Sequence, residues 1–336
     1  MDRAPAHDIE WEGTLPELWE EIGRLTEANR AVRDRATERC LLRLRHLAGI
    51  RLVDEAPGHP EFVRPDLDAL PEGDPLPEIE GGALRADLIR AGILRDGCLL
   101  VRGLIPGQQA LSFAAEIEEA FVQRVAAQQG QKPREGYFET FDPHSRFGRV
   151  DGRSWIQHGG GLLAADSPRL AFELFEAFSA ARLPEIMAEY LGEAALISIH
   201  KTTLRQADPA VAGSWHQDGY FMGDVRSLNL WLSLSRCGDL APGLDIVPRR
   251  IDHYLANTPD TDTYFDYTIS DARVRRAAGQ VGVIRPVFEP GDALFFDERF
   301  LHQTGSDPAM PHVRYAVESW FFGGSSFPAE YAPLAA

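Results

Sequence analysis

His216 and Asp218 stand at i and i+2 in Gly213-Ser-Trp-His-Gln-Asp-Gly219. On an extended segment such side chains point the same way, so an imidazole and a carboxylate there can reach one cation. The triplet means little by itself in a chain with 10 histidines and 51 acidic residues, and His59-Pro-Glu61, set among prolines, is a comparable accident. What singles out His216 is its company. It follows a strand-like run, and loops at the mouth of a β structure are where functional groups sit. A second histidine, His302, ends Pro290-Gly-Asp-Ala-Leu-Phe-Phe-Asp-Glu-Arg-Phe-Leu-His302, which reads as a turn, a strand and then the ligand; Arg314 opens another strand-like run. Two neutral imidazoles and one carboxylate suit non-haem Fe(II) and leave three coordination positions open. Two of these can take the keto and carboxylate oxygens of a 2-oxo acid, and one can take O2. A dicarboxylate would also need a cation at its far end, which Arg314 supplies best because a guanidinium bonds carboxylate through a planar fork and stays charged. The rival cation, Arg299, precedes the histidine by three residues and is expected to point elsewhere.

The elements that must position these groups fall into two textures. Residues 13–50 read as helical: Thr14 and Glu17 have capping-box spacing, with Pro16 tolerated in the first turn. Leu15, Leu18, Trp19, Ile22 and Leu25 follow an amphipathic stripe, and a second stripe through Cys40, Leu41, Leu44 and Leu47 ends at Gly49. This predicts a packing helix pair, with a dimer interface or lid as the sharper alternative. Prolines crowd residues 54–82, an extended connector. Asp96–Arg102 reads as a buried strand. Residues 107–129 read as a helix with Leu111, Ala114, Ala115, Ile117 and Phe121 inward, and 168–191 as helical, interrupted at Pro184 and opened by Ser167 as its cap. From about 196 short β-type runs separated by Gly and Pro take over: 196–205, 227–235, 244–248, 281–288, 293–297 and 313–322. Many short strands with turns between them imply a sandwich, jelly roll or barrel. In 227–234, Leu228, Leu230, Leu232 and Leu234 share one face; Ser227, Asn229, Trp231 and Ser233 share the other, which suits solvent or a ligand cavity.

Composition narrows the function classes. With a net charge of −17 over 336 residues, the surface repels phosphate backbones and anionic membranes, so neither nucleic acid nor membrane is an expected partner. Lys132 and Lys201 are the only lysines, which reads as the codon bias of a GC-rich, bacterial genome. Three scattered cysteines, Cys40, Cys98 and Cys237, exclude a zinc cluster of paired cysteines and a disulfide framework and fit a reducing compartment. Residues 1–8 have no apolar core of a secretory signal. No apolar run approaches the ~18 residues that span a membrane. A cytoplasmic protein is expected.

Between about residues 85 and 325 the chain resembles the phytanoyl-CoA dioxygenase family of Fe(II)/2-oxoglutarate oxygenases. The resemblance rests on Asp96-Gly-Cys-Leu-Leu-Val-Arg-Gly103, Leu183-Pro-Glu-Ile-Met-Ala-Glu-Tyr-Leu-Gly192, Trp215-His-Gln-Asp218, Leu230-Trp-Leu-Ser-Leu234, Pro242-Gly-Leu-Asp-Ile-Val-Pro248 and Gly291-Asp-Ala-Leu-Phe-Phe with His302 and Arg314 beyond it. It implies a mainly β chain with flanking helices (α+β): a double-stranded β-helix, or cupin-like jelly roll, over 83–336, behind an N-terminal helical extension and connector over 1–82. It implies iron on His216, Asp218 and His302, with Arg314 gripping the distal carboxylate of 2-oxoglutarate and Thr304 helping. Trp231 matches the family tryptophan near the co-substrate, and Lys201 and Thr203, on one face of the first barrel strand, are further candidates for contacting it. Gln157 and His158, ahead of the glycines at 159–161, and Tyr220, just past Asp218, are candidates for the substrate mouth.

The activity implied is oxidation of a C–H bond of a small metabolite with Fe(II), 2-oxoglutarate and O2, releasing succinate and CO2; hydroxylation is the expected outcome, and desaturation, epimerisation and ring formation use the same chemistry. A carboxylate at Asp218 fills the position that halogenating relatives leave for chloride. The chain departs from the family at Arg249 and Arg250, where Gly-Ser-His usually follows Val-Pro, and these arginines offer either a solvated loop or a grip on an anion. Two alternatives stand: a metal-dependent jelly-roll enzyme that does not use 2-oxoglutarate, and a non-catalytic small-molecule binder. The bland counterparts are a surface His–Asp hydrogen bond for His216 and Asp218, a core histidine donating to a carbonyl for His302, a surface ion pair with Asp307 or Glu318 for Arg314, and core packing for Trp231.

Overall fold

A computed structural model describes residues 11–336 apart from 59, 72–75, 148–149, 151–152, 224 and 257–267. Residues 1–8, His59 and part of the proline-rich stretch lie outside the described residues. The first part of the chain is helical: α1 (Leu15–Ala31), α2 (Arg35–Asp54), a short β1 (Glu78–Glu80), α3 (Ala86–Asp96), β2 (Cys98–Arg102), α4 (Gly107–Gln128), α5 (Arg153–His158), β3 (Gly161–Leu163), α6 (Pro168–Ala180) and α7 (Leu183–Leu191). Strands dominate thereafter: β4 (Ala195–Ala207), a single turn α8 (Gly219–Met222), β5 (Ser227–Ser233), β6 (Gly243–Ile246), α9 (Asp271–Ala278), β7 (Ala293–Phe296), β8 (His302–Gly305), β9 (Arg314–Gly323) and β10 (Pro333–Ala335).

The larger sheet runs β1-β2-β7-β5-β9-β4-β10, with β3 also on β4; the smaller pairs β6 with β8. Isolated bridges His216–His302 and Ile246–Ile284 widen the smaller sheet, so the chain passes back and forth between the two sheets from β4 to β9. This is a mixed helix-and-sheet protein in which helix outweighs strand, a correction to the mainly β expectation. The reason lies in β5: Leu228, Leu230, Leu232 and Leu234 are fully buried, packed in one cluster with Leu174, Phe178 and Ile117 from α6 and α4. Each such leucine contributes about 1.5–3 kcal/mol on burial, so the helices on this face are what make the sheet stable. The opposite face of the sheet holds the site. Among the described residues no helix is long and apolar enough to cross a membrane.

Local expectations were met in part. The Thr14–Glu17 capping box forms, and Leu18 and Ile22 carry the buried stripe of α1. Gly49 does not end α2. It lies inside the helix and against β10, where a Cβ would stand a tight 3.1 Å from the Pro333 backbone. On α4, Leu111 and Ala115 face solvent, and Ala110, Phe113, Ala114, Ile117, Ala120 and Phe121 face inward, a rotation of the expected stripe. Ser167 makes no side-chain cap on α6; its hydroxyl donates to the Gly136 carbonyl instead. Residues 281–288 form no strand. Gly282 at positive φ and Pro286 break the run, leaving Val281 and Val283 exposed and only the bridges at Ile284 and Phe288.

Candidate metal centre and cavity

His216 and His302 are direct partners across an antiparallel bridge: His216 N–H donates to the His302 carbonyl at 3.0 Å and His302 N–H to the His216 carbonyl at 3.2 Å. Residues that exchange both bonds project to the same side, and the two rings lie 4.4 Å apart. Each ring is turned by its own backbone. His216 Nδ1 meets the Ser214 carbonyl at 2.7 Å, and His302 Nδ1 meets that of Phe300 at 3.1 Å. Read as donated Nδ1–H bonds, these leave both Nε2 atoms as lone-pair donors toward the cavity, the usual way of fixing a ligand tautomer. The bland reading of His302 thus describes only one of its two nitrogens.

Asp218 arrives differently from the extended-segment expectation. It already has helical backbone angles and opens α8, with Gly219 N–H donating to the Glu298 carbonyl at 2.9 Å. The turn still brings its carboxylate in: Oδ2 lies 3.6 Å from His302 Nε2 and has no hydrogen-bond partner although the residue is buried. The ligand atoms of His216, Asp218 and His302 all lie within 4.8 Å of one another. A buried carboxylate oxygen without a hydrogen bond is costly. A cation held between the three groups would remove that cost, so the donor set fits a ferrous ion. Burial, then the neighbouring His216, pushes the His302 imidazole down to about 4, which keeps it in the neutral, ligating form.

Sequence reasoning missed the residue that holds this segment. Gln217 is fully buried and points away from the ligands. Its Nε2 donates to the carbonyls of His253 and Arg299, and its Oε1 accepts from Leu255 N–H. Its position between two ligands was the available signal. Phe296 and Phe300 pack on the His302 ring.

The three ligands open into a cavity of about 730 Å³. Arg314, Trp231, Thr304, Thr203, Lys201, Gln157 and His158 all line it. Arg314 is 3% exposed, so it is no surface ion pair; its Nε and Nη1 have no hydrogen-bond partner, and its guanidinium carbon lies 5.2 Å from the centre of the Trp231 ring. Burial lowers its pKa. Trp231 both lines the cavity and packs on Phe288. Thr203 Oγ1 is buried without a partner. Gly213 lets the ligand segment approach Thr304, since a Cβ there would stand 2.2 Å from the Thr304 carbonyl oxygen.

Lys201 is packed over the rings of Phe221 and Tyr331; burial lowers its pKa while Asp218 and Glu318 oppose that shift. Glu318 does not pair with Arg314. It stands instead opposite Trp231 and Thr203 in register and pairs with Arg205, whose Nε and Nη2 lie 3.0 and 2.8 Å from Oε2. Burial raises the Glu318 carboxyl, but Arg205, Lys201 and His302 outweigh it and hold it at about 2.

Tyr220 is not among the cavity-lining residues: it packs against Tyr254, and the next residue, Phe221, lines the cavity. Arg299 is spent on Glu298 and the Asp252 carbonyl. Arg250 pairs with Asp297 and Asp252, and Arg249 donates to the Ala277 carbonyl; neither lines the cavity.

No protein-family model matches the chain, and no curated protein is similar to it. Among solved structures it is similar to EctD from S. alaskensis with 2-oxoglutarate and 5-hydroxyectoine, at 17% identity over 81% of this chain and 86% of that one, with a TM-score of 0.48. It is also similar to SnoK, a non-heme alpha ketoglutarate dependent carbocyclase from nogalamycin biosynthesis, at 14% identity over 73% and 86%, with a TM-score of 0.46. AviO1 from Streptomyces viridochromogenes Tue57 aligns at 17% identity over 73% and 97%, with a TM-score of 0.44. With similarity of this degree, the site's own geometry carries the functional reading.

Proposed function

We propose that this chain is a non-haem Fe(II)/2-oxoglutarate-dependent oxygenase built on a double-stranded β-helix, and that it hydroxylates a C–H bond of a small organic molecule. One observation carries the proposal: a converged His216–Asp218–His302 set and a buried Arg314, with Nε and Nη1 lacking hydrogen-bond partners, line the same cavity. The first answers to a divalent metal and the second to a carboxylate, and 2-oxoglutarate is a ligand that uses both. Bound iron would supply the activation of O2, coupled to decarboxylation of 2-oxoglutarate to succinate and CO2 and to oxidation of the substrate.

The chain's own groups would divide the remaining work. His216 and His302 would each offer an Nε2 atom to the ion, and Asp218 a carboxylate oxygen. Arg314 would take the distal carboxylate through one edge of its guanidinium, with Thr304 beside it. Trp231 holds the guanidinium plane and keeps water from it, so the pairing forms in a low-dielectric site where it is strong. Lys201 and Thr203 face the same space and would contact the nearer end of the co-substrate. Phe221, Phe296 and Trp231 keep the metal face dry, and Gln157 and His158 border the space left for substrate.

Anaerobic titration with Fe(II) and 2-oxoglutarate tests the proposal. A visible charge-transfer absorbance is expected, absent in His216→Ala and Asp218→Ala. Metal uptake with no response to 2-oxoglutarate would move the chain to the other class of metal enzyme. Small-molecule binding indifferent to iron and to His216→Ala would make it a binder.

A further inference from the structure

Four cationic side chains line the cavity, and three are accounted for: Arg314 and Lys201 by the reading above, and Arg205 by its ion pair with Glu318. The fourth is Arg124, on α4. No ion pair is found for it among the described residues; burial alone shifts its pKa, downward, with no carboxylate contributing. Its Nη1 donates to the Gly161 carbonyl at 2.8 Å, and its guanidinium carbon lies 4.6 Å from the centre of the Phe121 ring. Those two contacts fix the plane of the fork, while Nε is buried with no hydrogen-bond partner. An arginine held in one plane with an open donor edge is preorganised for a carboxylate, because the ordering cost is already met by the protein.

We propose that Arg124 binds a carboxylate of the substrate, which is therefore an organic monoanion with an apolar body. The inference deepens the oxygenase reading by giving its substrate class. Charge sets the valence: one uncompensated guanidinium matches one negative charge, whereas a phosphate dianion would carry a second into the cavity unmatched. The one other acid at the rim, Asp208, is exposed and accepts from Ala210 N–H, so it neither neutralises Arg124 nor stands in for the ligand. Phe121, Ile156, Val211 and Val313 line the same cavity and suit an apolar body. The cavity, of about 730 Å³, would hold this molecule beside 2-oxoglutarate, so the space for the apolar body is what the co-substrate leaves. In a chain of net charge −17 the surrounding field repels anions, so an anionic substrate needs a dedicated counter-charge inside.

Calorimetric titration of the full chain with phenylacetate, 4-phenylbutyrate and octanoate, each beside its primary amide, tests this. The titrations are run with Fe(II) and 2-oxoglutarate under anaerobic conditions and again without either. At least one carboxylate is expected to bind about tenfold or more tightly than its amide, the scale of a charge-assisted pair. Arg124→Gln should abolish that preference and still take up Fe(II), which reports that it is folded. Where Arg124→Gln is unstable, Arg124→Met keeps the stem over Phe121 and gives the same readout. A wild-type protein that binds no carboxylate better than its amide, or a preference that survives in the variant, overturns the proposal. Failure of the oxygenase reading is read separately, as loss of the 2-oxoglutarate response in wild type with the Arg124-dependent preference intact.

Discussion

Replacing Arg314 by glutamine should act in opposite directions on the empty and the co-substrate-bound protein. Empty, the buried guanidinium lacks hydrogen bonds at Nε and Nη1. Removing an uncompensated buried charge relieves desolvation. Arg314→Gln without ligand should therefore melt at or above wild type. With 2-oxoglutarate the sign reverses. Each charge-assisted hydrogen bond is worth about 1.5–3 kcal/mol, so two lost bonds cost at least about 3 kcal/mol. At ~1.4 kcal/mol per decade, that is a loss of more than about a hundredfold in affinity. At 2-oxoglutarate near 100 times the wild-type Kd, linkage stabilises wild type by about 2.7 kcal/mol. For 336 residues this is a rise of about 4 °C in Tm, from an unfolding entropy near 2.1 cal/mol/K per residue. At the same concentration the variant should gain less than about 1 °C. Differential scanning fluorimetry with Fe(II), under argon, reads both quantities in one experiment. A variant that keeps the wild-type increment would refute the assignment of Arg314 to the co-substrate, whatever its own melting point.

Two further outcomes follow from the buried polar groups. Burial, then the adjacent Asp297, raises the Glu298 carboxyl from 4.5 to about 7. Between those values the folded chain holds a proton that the unfolded chain has released, so stability should fall as pH rises through that window. Glu298→Gln, which can keep the Ser227 bond, should flatten the dependence; parallel Tm profiles for both proteins from about pH 5 to about pH 8 would contradict this. Gln217→Met keeps bulk but strands Leu255 N–H and two carbonyls, and at about 1–3 kcal/mol per buried unpaired group it should lower the urea midpoint by more than any surface change. An unchanged midpoint would show that the segment does not depend on it.

The converging His216–Asp218–His302 trio and the cavity position of Arg314 could be anticipated because their chemistry is expressed in residue type. A histidine, an aspartate and a second histidine, each beside a strand signal, could be named before anything was known of their distances. The alternation in β5 was legible for a similar reason, since period two is written directly in the leucines. What was not legible depended on partners far along the chain. Gly49 looks like a helix stop until Pro333 is seen against it. Glu318 becomes part of the cavity only through its register with Trp231 and Thr203. Tyr220 and Phe221 are equally plausible from spacing, and one residue of helical rotation in α8 decides between them. The run at 281–288 has the composition of a strand, yet Gly282 and Pro286 deny it continuous pairing. The jelly-roll expectation carried too little helix because the leucine face of β5 says that something apolar must cover it, but not what.

The contact between α2 and β10 carries a consequence for the order in which the molecule assembles. His46 Nδ1 meets the Pro333 carbonyl at 2.7 Å, and Arg45 donates to that of Ala335, contacts separated by 287 and 290 positions. β10 itself is seated on β4, which is in turn paired along its length with β9. The helix pair therefore has no finished berth until the sheet has closed, and a chain rich in such remote pairings is a slow folder. During that interval the apolar stripe of α1 and α2 stays uncovered, which makes the unassembled N-terminal hairpin the segment a chaperone would be expected to guard.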